Sequence, residues 1–159
     1  MWTDFFVAAS GASAALAGLV FVALSVNISN ILRSPNLPPR AGAAIGTLIL
    51  ILVCSTAALV HQPLVDLGGE IVVFSLGCTW LQCRSVWQGF AVRAQLRRPR
   101  WESLFNAVVA LLQVLPFLVG GSLLIAGRDG GLYWVAAGSI AVFIFSVLNA
   151  WVLLVEILR

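Results

Sequence analysis

The chain has no lysine, one histidine and one tyrosine, and only 9% of its 159 residues carry a charge. A soluble globule clothes itself with roughly 25% charged residues, so this polar allotment excludes an ordinary water-exposed domain. Hydrophobic residues make up 61% of the chain, and lipid is the solvent that suits such a surface. A hydrocarbon core about 30 Å thick takes roughly 20 apolar residues per helix. The chain therefore has length for five crossings and none for a separate soluble domain. Its formal charge of +3 does not point to a nucleic-acid binder, because the arginines lie between apolar runs, where they act on topology.

Reactive side chains are equally scarce. Cys54, Cys78 and Cys83 form an odd set without a C-x-x-C pair, all inside apolar runs, and read as small packing residues. Cys78 and Cys83 are five apart, which on a helix points them away from each other and excludes a disulfide or a shared metal. His61, Asp66 and Glu70 gather around one connection, but their spacing matches no metal-ligand pattern. A histidine at one helix C-terminus followed by acids at the next N-terminus is what helix dipoles favour. No nucleophile, base and orienting group come together, and no glycine loop follows a strand. The composition predicts no enzyme, no cofactor and no metal. The amino terminus, "MWTDFFVAAS", has no basic leading region and reads as a retained first span rather than a cleaved signal.

What is present is a series of apolar runs punctuated by proline, glycine and charge. They predict an all-α transmembrane bundle with spans over about 3–32, 40–61, 67–95, 101–126 and 132–158. "RSPNLPPR" ends the first span, since Pro35, Pro38 and Pro39 oppose continuation. Pro63 stops the second, Asp66 serves as N-cap of the third, Pro99 breaks the third from the fourth, and "GRDGG" turns the fourth into the fifth. No internal repeat is visible.

With five spans, Arg33, Arg40, Arg93, Arg97, Arg98, Arg100 and Arg159 fall on one side of the membrane and Arg128 on the other. The arginine-rich side is expected to be cytoplasmic. This places the amino terminus outside and the carboxy terminus inside. The run "AVRAQLRRPRWE", with Arg93, Arg97, Arg98 and Arg100, anchors the third connection, and lipid headgroups are its natural partners.

Four stretches, "FFVAASGASAALAGLVFVALSVN", "RAGAAIGTLILILV", "VLPFLVGGSLLIAG" and "NAWVLLVEILR", resemble a family of small bacterial integral membrane proteins labelled "modulator of FtsH protease". The similarity runs from about Phe5 to Arg159 and carries no catalytic motif. It implies a multi-pass protein of a bacterial inner (cytoplasmic) membrane and a membrane protease complex as a class of partner.

Three constellations stand out within the spans. In the first span Gly11, Ala14, Ala15, Gly18 and Ser25 put small side chains on one face, and Gly42 and Gly46 in the second span form a G-x-x-x-G. Such faces let backbones approach closely, within the chain or between chains. Asn27, Thr47, Arg84, Gln88, Ser146 and Asn149 share a depth toward the arginine-rich side, while Ser139, Ser146, Asn149 and Glu156 form a stripe expected to face the bundle interior. Arg84 lies six residues before Phe90, about 9 Å by helical rise. It can snorkel to the interface, pair with Glu156 or bind a ligand. In the fourth span, Pro116 removes a donor one turn from Leu112 and beside Gln113, which predicts a kink.

Two functions follow from these features. The first is a non-enzymatic protein that assembles with itself or with a larger membrane partner, as small-residue faces and short loops favour; the resemblance would make that partner a protease complex. The alternative is an oligomeric pore or carrier for an ion or small solute, which the polar layer and the mid-span proline would serve.

Overall fold

A computed structural model describes the backbone of residues 2–26, 28, 37–96 and 101–157, and the side chains of 2–26, 28, 41–88 and 108–148. Five helices follow one another: α1 (Trp2–Val26), α2 (Leu37–Leu59), α3 (Leu64–Leu96), α4 (Trp101–Ile125) and α5 (Gly131–Ile157). All five are long and apolar enough to cross a bilayer, which makes this an all-helical, multi-pass membrane protein.

Two boundaries differ from the sequence expectation. The second helix starts at Leu37 and includes Pro38 and Pro39 in its first turn. The first residues of a helix have no intrahelical partner for their N–H groups, so a proline there forfeits nothing. The third helix starts at Leu64, and the Asp66 N–H already bonds the Pro63 carbonyl at 3.1 Å. Asp66 is thus a first-turn residue and not the N-cap; its carboxylate still lies where the positive end of the helix dipole favours an acid. Of the expected first span, residue 27 and residues 29–32 lie outside the described residues.

The turns are closed by local bonds. Gly127 sits at φ 71°, a left-handed conformation that costs glycine nothing. Its N–H bonds Leu124 O at 2.9 Å and the Arg128 N–H bonds Leu123 O at 2.9 Å, the paired bonds that satisfy the last carbonyls of α4. Between α2 and α3, Gln62 Nε2 donates to Ala57 O at 3.3 Å and to Glu70 Oε2 at 3.0 Å. One side chain thereby ties the end of α2 to the first turns of α3.

Sequential neighbours pack most extensively, α3 with α4 above all, and α5 touches α1 and α2 more lightly. The interior of each helix is a narrow stripe. On α1 it is Phe6, Ala9, Ser13 and Val20; on α3, Leu67, Ile71, Ser75, Cys78 and Gln82; on α5, Leu132, Val135, Ser139, Val142 and Ser146. Steps of three, four and seven keep one side of a helix against its neighbours. The remaining circumference exposes large apolar side chains such as Leu19, Phe21 and Trp87, as a lipid-facing surface requires. The Trp2 ring meets Tyr133 edge-on at 4.8 Å, so the amino-terminal end of α1 lies beside the start of α5. Trp2, Phe5 and Tyr133 gather there, a placement typical of aromatic rings at a membrane interface.

Candidate functional site

Glycine separates the bundle into two kinds of surface. Along the seams of α3, α4 and α5, glycines stand where no side chain fits. A Cβ on Gly68 would lie 2.7 Å from the carbonyl oxygen of Gly121, and one on Gly121 would lie 2.8 Å from Val72 Cγ2. A Cβ on Gly131 would collide with the carbonyl oxygen of Gly120. Farther along α5, a Cβ on Gly138 would come within 3.0 Å of Pro116 Cβ and 2.9 Å of Phe117 Cε2. Pro116 thus has a packing position against α5, and α4 continues through it as one helix.

The small residues singled out in the first two spans lie differently. Gly11, Ala14, Ala15, Gly18 and Ser25 are all exposed, on the side of α1 opposite the buried Phe6, Ala9, Ser13 and Val20. A Cβ on Gly11, Gly18 or Gly42 would meet nothing within 4 Å, and one on Gly46 would make an ordinary 3.5 Å contact with Leu81 Cδ1. The α1 face therefore packs against no other helix among the described residues.

The polar side chains expected to form one layer differ in burial. Thr47 and Ser146 are buried, and Thr47 Oγ1 donates to Ala44 O on its own helix at 2.9 Å. Arg84 and Gln88 are exposed, one turn apart on the side of α3 opposite its buried stripe. Arg84 Cζ lies 5.6 Å from the centroid of the Trp80 ring, a cation–π distance. Asn27 lies outside the described residues. Asn149, Glu156 and Arg93 are on described helical backbone but their side chains are not described, and Arg97, Arg98 and Arg100 lie outside the described residues.

Between helices, the described side-chain bond is one that sequence reasoning missed in part. Gln82 Nε2 on α3 donates to Gln113 Oε1 on α4 at 3.4 Å, with both residues buried. Gln113 stands out in its span, whereas Gln82 hides beside Arg84. The signal for it is the stripe Leu67, Ile71, Ser75, Cys78, whose next step is residue 82. The interior hydroxyls mostly satisfy themselves: Ser13 Oγ donates to Ser10 O and Ser139 Oγ to Val135 O, each at 2.9 Å. Ser75 Oγ is buried without a hydrogen-bond partner among the described residues.

Alongside the Gln82–Gln113 bond, a groove of about 330 Å³ lies between α3 and α4, with mostly apolar walls that run from Thr79 to Trp87 on one side and from Ala110 to Leu118 on the other. Among the described residues no three His, Cys, Asp or Glu side chains gather as metal ligands. Cys54 and Cys78 are buried free thiols and Cys83 is an exposed one. The geometry offers close-approach surfaces and a lipid-facing groove, with no described cluster of acid, base and nucleophile. Comparison with protein-family models, with curated proteins and with solved structures finds no match to this chain.

Proposed function

We propose that the protein is a non-enzymatic assembly subunit of a bacterial inner membrane, which uses the outward face of α1 to pack against a second copy of itself. The observation that carries this reading is the open space at Gly11 and Gly18 on a face exposed to the surroundings. Small residues at three- and four-residue spacing let helix backbones approach and gain van der Waals contact that lipid does not replace. The resemblance to the family labelled "modulator of FtsH protease" adds a second class of occupant for the same face, a transmembrane helix of a membrane protease complex. Assembly is favoured over conduction by a single chain by the interior hydroxyls of Ser13, Thr47 and Ser139, which donate to carbonyls of their own helices.

The same reading orients the chain with its amino terminus outside and its arginine-rich connection in the cytoplasm. Cysteines placed at Thr3 and Gln95, with the native cysteines removed, are expected to react with an impermeant reagent from opposite sides. Reaction of both from one side overturns the orientation.

The assembly itself is tested by Gly18→Leu, measured as particle mass in nanodiscs or mild detergent. The wild type is expected as an oligomer and the variant as a monomer that melts at the same temperature as a monomeric wild type. An unchanged mass in the variant, or a monomeric wild type, removes the proposal.

A further inference from the structure

We draw no further inference here: the strongest candidate, the apolar groove between α3 and α4 lined by Thr79, Val86, Leu111 and Leu118, carries nothing because nothing in the structure shows what covers it.

Discussion

The two halves of the bundle use the same residue for opposite ends. At the seams of α3, α4 and α5, Gly68, Gly120, Gly121, Gly131 and Gly138 face backbone or packed side chains at distances a Cβ cannot share. On α1, Gly11 and Gly18 face open space. A membrane bundle gains nothing from hiding apolar surface from lipid tails that are equally apolar; close packing and buried hydrogen bonds must hold it together. The carboxy-terminal half meets that requirement within the chain. The glycines of α1 would meet it only against another helix, and the difference separates glycine that holds the fold from glycine left for a partner.

Substitutions ranked by expected size sharpen this contrast. Gly68→Leu drives a side chain into the backbone of α4 and is expected to destabilise the bundle by about 3 kcal/mol or more, seen as loss of the cooperative unfolding transition in mixed micelles. A Gly68→Leu protein that melts like the wild type would erase the distinction between the halves. Ser75→Ala removes a buried hydroxyl that has no partner among the described residues; stability is expected to rise by about 1 kcal/mol, and a fall would reveal an unseen partner for that oxygen. Gln82→Leu breaks the bond to Gln113 and is expected to cost about 0.6 kcal/mol, measured by the same unfolding titration. The double change with Gln113→Leu should recover part of the loss, because no amide is then left without its partner. Smallest of all is the effect of Gly11→Leu or Gly18→Leu on the monomer, within about 0.5 kcal/mol, since no described residue would lie within 4 Å of a Cβ at either position. A large loss in the monomer would place this face inside the fold.

Much of the architecture is legible in the sequence, and the reasons are physical. Apolar runs about as long as a bilayer is thick, broken at Pro63 and at "GRDGG", leave little freedom about where helices lie. Asp66 and the pair Pro38–Pro39 mislead by a few residues because both types suit either the residue before a helix or its first turn. Which glycines carry the packing is not legible. Gly18 and Gly121 look alike in sequence, and only the tertiary neighbours show that one faces outward and the other meets the backbone of α3. Grouping Thr47, Arg84, Gln88 and Ser146 by depth along the helices leaves the direction around each helix open. Arg84 and Gln88 turn away from the side of α3 that carries Gln82. The stripe of Ser139 and Ser146 fares better, since a seven-residue spacing fixes a face as well as a depth.

The claim that α1 offers its small-residue face to a second copy is tested most directly by cysteine cross-linking in native membranes. The three native cysteines are replaced, and a single cysteine is placed either at the exposed Ala14 or at Ala9, 3% exposed on the opposite side of the helix. Under mild oxidation, Ala14→Cys is expected to form a disulfide-linked dimer that Gly18→Leu suppresses, while Ala9→Cys stays monomeric. Absence of a dimer from Ala14→Cys, or equal cross-linking from both positions, would contradict the account.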